Sequence, residues 1–186
     1  MNTIHSSTQF QQNVLRPSWI EIDLDAIAEN VRHIRRYIGN IYYLAVVKAN
    51  AYGLGVLPVA RTIMENGADG LAVVTLEECI VLRRGGITGP LVNMGPVFPE
   101  QAFWVVEYDI QQMAYRPDVI HALTIAAARM NKTAKIHLKV DTGMSRYGVH
   151  YRNAFDLLMQ TSKQPHLELV GVMTHFPMSD ELDKSF

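Results

Sequence analysis

Leu44-Ala-Val-Val-Lys48 is followed by a stretch of helical period, with Pro58 early in it and Gly67 at its close, and then by Gly70-Leu-Ala-Val-Val-Thr75. Two short apolar runs rich in β-branched residues, with a helix between them, make a strand–helix–strand unit. Strands that stay apolar along their whole length are covered on both faces, as in a parallel sheet. Proline is tolerated in a first helical turn, where its missing N–H has no partner to lose, and glycine is favoured just past the last turn. The unit then repeats. Further apolar runs occupy Pro90–Met94, Ile110–Ala114, Ala134–Asp141 and Leu167–His175, which makes six. Between them Thr75-Leu-Glu-Glu78 has the spacing of a capping box closed by Gly85-Gly86, Pro117 opens an alanine-rich helix over Asp118–Met130, and Asn153–Gln160 reads as a helix before Pro165.

Upstream, the alternation of Trp19–Asp23 predicts a short strand. Asp23 or Asp25 then caps a helix carrying Leu24, Ile27, Val31, Ile34 and Ile38 on one face, and Gly39-Asn40 stops it. Residues 1–16 read as a loose N-terminal tail. Strand–helix alternation of this kind fits an open doubly wound sheet or a (β/α)8 TIM-type barrel. No G-x-G-x-x-G follows the first strand and no G-x-x-x-x-G-K-[ST] occurs, so neither phosphate-binding glycine loop is present. A complete barrel takes about 250 residues. The expectation is therefore an α/β fold with residues 17–186 forming the N-terminal part of a barrel, about six strands of the repeat.

Composition narrows the function. The chain has 186 residues, 48% apolar and 19% charged, with a formal net charge of −1. A near-neutral chain without a basic run lacks the charge that non-specific nucleic-acid binding needs. The single cysteine, Cys79, excludes an intrachain disulfide and a CxxC site. No apolar run reaches the roughly 20 residues of a membrane span. Met1–Gln12 is polar, without the features of a signal peptide, and a cytoplasmic location is expected by default.

Reactive side chains fall at strand ends: Lys48 on the first run, Asp141 on the fifth, His175 on the sixth. In a barrel the carboxyl ends of the strands gather the active site. An amine at the tip of an apolar strand is expected to be partly desolvated, which lowers its pKa. A free amine can condense with an aldehyde and later act as a base. Tyr52 follows four residues later, before Gly53 and Gly55, where its hydroxyl could meet a phosphate. On the fifth strand Lys135, His137, Lys139 and Asp141 share one face, either a wet edge or a polar barrel interior in which a lysine needs a counter-charge or must lose its own charge. Arg146 enters the same rim through Asp141-Thr-Gly-Met-Ser-Arg146 and suits fixed recognition of a carboxylate or phenolate. His175 could stack on an aromatic ring. His5, His33, His121, His150 and His166 show no metal-ligand spacing, and no metal is expected. Cys79 reads as core, and Phe103 and Trp104 as helix packing.

Three of these stretches, Ala45-Val-Val-Lys-Ala-Asn-Ala-Tyr-Gly53, Lys139-Val-Asp-Thr-Gly-Met-Ser-Arg146 and Gly171-Val-Met-Thr-His-Phe176, together with the opening Arg16-Pro-Ser-Trp-Ile-Glu-Ile-Asp-Leu-Asp25, resemble the alanine racemase family. The resemblance runs from about Arg16 to the end of the chain. It implies a barrel that binds pyridoxal 5′-phosphate, followed in the family by a C-terminal β domain, and a homodimer interconverting L- and D-alanine to supply cell-wall peptidoglycan. By the same resemblance Lys48 would hold the cofactor and serve as one of two bases. Tyr52 would touch the cofactor phosphate, Arg146 the phenolic oxygen and the substrate carboxylate, and His175 the pyridine ring. Lys139 matches a lysine that is carbamylated in some members, where it pairs with the arginine. Leu54 departs from a histidine common in the family. The family's second base, a tyrosine of the C-terminal domain of a partner subunit, has no counterpart in these residues. The chain therefore reads as an N-terminal piece, without efficient activity alone. The alternatives are a non-catalytic pyridoxal-phosphate-binding barrel and a structural α/β module with Lys48 a solvated cap.

Overall fold

In a computed structural model, whose described residues are 18–180, each repeat follows from local chemistry. Asp23 accepts a hydrogen bond from the Ala26 N–H and caps α1 (Leu24–Ile38), which Gly39 ends. The strands and helices then alternate: β1 (Leu44–Val46), α2 (Val56–Glu65), β2 (Gly70–Val73), α3 (Leu76–Arg84), β3 (Leu91–Asn93), α4 (Ala102–Glu107), β4 (Gln111–Ala114), α5 (Pro117–Arg129) and β5 (Ala134–Asp141). Thr75 and Glu78 form the capping box of α3, and Pro117 occupies the first turn of α5. A two-residue strand, β6 (Val149–His150), precedes α6 (Ala154–Thr161) and β7 (Leu167–Met173). No helix among the described residues is long and apolar enough to cross a membrane.

All pairings are parallel. The sheet runs β1-β2-β3-β4-β5, with β7 on the far side of β5. A doubly wound sheet reverses its strand order at a switch point. Here the main strands follow one another in chain order without reversal, the winding of a barrel. The architecture is the N-terminal part of a (β/α)8 barrel. β1 and β7 are the two edges of the arc among the described residues.

The two faces of the arc differ. Leu71, Leu91, Ile136 and Leu138 are fully buried in one core with Leu82, Leu123 and Ala127 of the covering helices. Asn93 and Gln112 are also completely buried, and an unpaired amide there would be costly. They satisfy each other: Asn93 Nδ2 donates to Gln112 Oε1 at 2.9 Å, and Gln112 Nε2 donates to the Gly95 carbonyl at 2.8 Å. The opposite face of β5 carries Lys135, His137 and Lys139, all half-buried. Because Ile136 and Leu138 belong to the helix-side core, this polar face is the concave one. The choice left open by sequence is thereby settled in favour of a polar interior. His137 Nε2 lies 2.8 Å from Gln111 Oε1 of the neighbouring strand, and a Cβ on Gly171 would come within 2.7 Å of His137 Nδ1, so β7 can approach only with glycine there.

Four expectations are corrected. Trp19–Asp23 forms no strand: its alternation pairs with no other strand among the described residues, and Asp23 is spent as the helix cap. β1 ends at Val46, so Lys48 lies in the turn beyond it, and His175 lies two residues past β7. Phe103 and Trp104 are about half exposed and meet edge to face, with ring centroids 5.2 Å apart, while Val105 and Val106 of the same helix enter the core. The expected tail, residues 1–16, lies outside the described residues.

Candidate functional site

β1 delivers its chain into an unusual turn. Ala49, Asn50, Ala51 and Tyr52 have φ of 52°, 55°, 53° and 55°, so Lys48–Tyr52 is a left-handed turn. For L-residues this conformation costs roughly 1–2 kcal/mol each, and only glycine and asparagine adopt it routinely. The turn is held on several sides. The Ala51 N–H donates to the Val47 carbonyl at 3.0 Å, Asn50 Oδ1 accepts from the Val56 N–H at 2.8 Å, and Ala51 is buried. Gly53, with φ of 89°, supplies the residue that leaves it. This geometry turns Lys48 over the carboxyl end of the sheet.

There Lys48, Tyr52, Lys139, Arg146 and His175 line one cleft of about 490 Å³, a volume suited to a small ligand. Val46, Met94 and Met173 are among its apolar contacts. All five residues singled out from sequence are thus brought together. One expectation about them is corrected: the Lys48 side chain is exposed rather than desolvated, because it stands in the turn above the strand and not inside it. Tyr52, Arg146 and His175 are exposed as well.

Lys139 is the half-buried cation of the group. Burial, reinforced by the neighbouring Arg146 guanidinium, holds its amine below the usual lysine range, while Asp141 acts in the opposite direction. Asp141 organises the loop that carries Arg146. Its Oδ1 accepts from the N–H groups of both Gly143 and Ser145 at 3.0 Å, and these bonds hold the carboxyl below its ordinary value. Thr142 Oγ1 and Thr174 Oγ1 are 2.7 Å apart, and Thr174 Oγ1 also donates to the Val140 carbonyl, which ties the Arg146 loop to the end of β7 beside His175. The loop-organising role of Asp141 and the Thr142–Thr174 pair were not anticipated from sequence. Alternation could place Asp141 at the rim but not say that its partners are backbone amides.

The alanine racemase N-terminal domain family matches residues 22–186. An alanine racemase of Halothermothrix orenii is 39% identical over 176 residues, covering 94% of this chain and 46% of the relative. Among solved structures, an alanine racemase of Clostridium difficile 630 in complex with cycloserine superposes with a TM-score of 0.88 at 30% identity, over 92% of this chain and 48% of that one. A Bacillus anthracis alanine racemase with bound L-Ala-P superposes with a TM-score of 0.83 at 38% identity, over 92% and 45% of the two chains. The chain thus spans about half the length of the relatives it matches.

Proposed function

Because the chain belongs to the alanine racemase family, we propose that it carries the cofactor-binding part of an amino-acid racemase acting on L- and D-alanine. The observation that carries this reading is the meeting of a primary amine, a guanidinium and an imidazole in one cleft at the carboxyl ends of the strands. That donor set suits pyridoxal 5′-phosphate: an amine for its aldehyde, cations for its anionic groups, and a flat ring to lie against its pyridine. Lys48 would hold the cofactor, the Tyr52 hydroxyl would bind its phosphate, Arg146 its phenolic oxygen and the substrate carboxylate, and His175 would pack on its ring. When bound, the cofactor supplies the electron sink that makes the substrate α-proton acidic. Lys48 Nζ then takes or returns that proton on one face of the substrate, and the resemblance assigns the other face to a tyrosine of a partner subunit. Burial, and after it the neighbouring Arg146 cation, shift the Lys139 amine toward its neutral form, the one that reacts with carbon dioxide. In carbamylation the amine nitrogen would form a bond to the carbon of carbon dioxide and lose one proton to solvent, leaving a carbamate anion able to pair with Arg146. Such an enzyme would work as a homodimer in the cytoplasm and supply D-alanine for peptidoglycan.

The test is exchange of the alanine α-hydrogen. In heavy water, the full-length protein with pyridoxal phosphate should convert L-alanine to α-deuterated D-alanine. Lys48→Ala should lower that rate about 10²–10⁴-fold, the usual contribution of a positioned base. Unchanged exchange in the variant contradicts the assignment.

A further inference from the structure

Glu78 uses its two carboxylate oxygens for different purposes. Oε2 accepts from the Val74 and Thr75 N–H groups, both at 3.1 Å, within the turn that follows β2. With Thr75 Oγ1 accepting from the Glu78 N–H at 3.2 Å, this is the capping box of α3. A capping box needs only one side-chain acceptor at that position. Oε1 points elsewhere and accepts from the Ala49 N–H at 2.5 Å, across 29 residues of chain. That amide belongs to the peptide joining Lys48 to Ala49, where the run of four left-handed residues begins. The far end of the run is fixed by Asn50, by the buried Ala51 and by the Val47 carbonyl. At its near end, the Lys48–Ala49 amide is held by Glu78.

We propose that Glu78 is a positioning residue for Lys48: one carboxylate bridges the turns after β1 and β2 and fixes the peptide from which the amine projects. The proposal rests on the reading of Lys48 as the cofactor-binding amine. Glu78 itself takes no proton and touches no substrate in this role, since its oxygens are engaged by three backbone N–H groups. A charged acceptor makes stronger hydrogen bonds than a neutral one, which suits a turn of disfavoured conformation.

Two variants separate the bridge from the cap. Glu78→Gln keeps the length and one carbonyl oxygen, enough for the capping box, but its amide end can only donate, so it cannot serve both turns. Thr75→Ala weakens the cap of α3 and leaves both Glu78 oxygens in place. Two readouts are taken on the full-length protein: hydrogen exchange of the peptide spanning 47–53, without cofactor, and covalent trapping of pyridoxal phosphate by borohydride at Lys48, relative to the exposed Lys163. Glu78→Gln should speed exchange in 47–53 about tenfold, as expected for loss of one hydrogen bond to a charged group, and slow trapping at Lys48 by a similar factor with Lys163 unchanged. Thr75→Ala should do neither, although it lowers the melting temperature. Glu78→Asp, a methylene too short to reach both turns, carries the same expectation and replaces Glu78→Gln if that variant does not fold. Exchange in 47–53 no faster than in Thr75→Ala overturns the bridge. Faster exchange with undiminished trapping overturns the positioning role. A wild-type protein that traps no faster at Lys48 than at Lys163 overturns the cofactor reading, and with it the positioning role, while the exchange result still reports the bridge.

Discussion

Lys139 and Arg146 are two cations facing one cleft, and half-burial of the lysine makes their neighbourhood felt. The Lys139 amine should titrate below an ordinary lysine, and Arg146→Gln should raise it only part of the way, because the repelling charge is gone while the larger cause, burial, remains. Methyl NMR of reductively methylated lysines reads this directly; an ordinary value unaffected by the substitution contradicts the packing described. His137 makes the complementary case. Burial holds its imidazole below 6.5, so the unfolded chain binds the proton at a higher pH than the folded one. Folding stability should therefore be full above about pH 6.5 and fall as pH drops toward the folded value. His137→Asn should flatten that fall in urea titrations at a series of pH values. The alternation of Lys135, His137 and Lys139 was plain in the sequence. Which side of the strand they faced was not, because a wet edge and a polar interior share one pattern.

Strand β7 shows how one residue decides what an element presents. Its register on β5 runs Ile136 to Leu169 and then His137 to Gly171, leaving Val170 as a bulge. The extra residue puts Gly171 and Met173 opposite His137 and Lys139, on the concave face. Deleting Val170 would close the bulge and leave Gly171 and Met173 opposite His137 and Lys139 in an unbroken ladder. The variant should keep its fold and the cleft lining from Met173 to His175, since Val172 stays opposite Leu138 and Met173 opposite Lys139; a collapse of the melting temperature would contradict the register. Sequence alternation located this strand but could not show the bulge, which exists only in relation to a partner strand. The same reason explains Trp19–Asp23, whose pattern suits a strand but which pairs with none among the described residues. Strand β5 occupies Ala134–Asp141 as its alternation predicts, and the Thr75–Glu78 capping box was equally legible because both its partners lie within four residues. The left-handed turn at Lys48–Tyr52 was not legible, since four successive non-glycine residues at positive φ run against local preference and depend on contacts with Val47, Val56 and Glu78.

At the scale of the molecule, the order of the strands, all parallel and never reversed, makes an arc with its polar side inward and its carboxyl ends converging on one cleft. Among the described residues the arc has two parallel edges, and Val46 and Val172 near them are 38% and 56% exposed. Unpaired edges and uncovered apolar groups invite association. These 186 residues expressed alone should run as multimers or aggregates on size exclusion, and a sharp monomer peak with cooperative melting would contradict that expectation. The sequence motifs named the residues of the cleft, but not that Lys48 would reach it from a turn rather than from the strand itself. Whether that amine is the chemical centre is decided by one measurement. The protein is mixed with pyridoxal phosphate, reduced with borohydride, digested and mapped by mass spectrometry. The account predicts label on the peptide containing Lys48 and its loss in Lys48→Ala; label spread evenly over exposed lysines such as Lys132 and Lys163, or persisting in the variant, would contradict it.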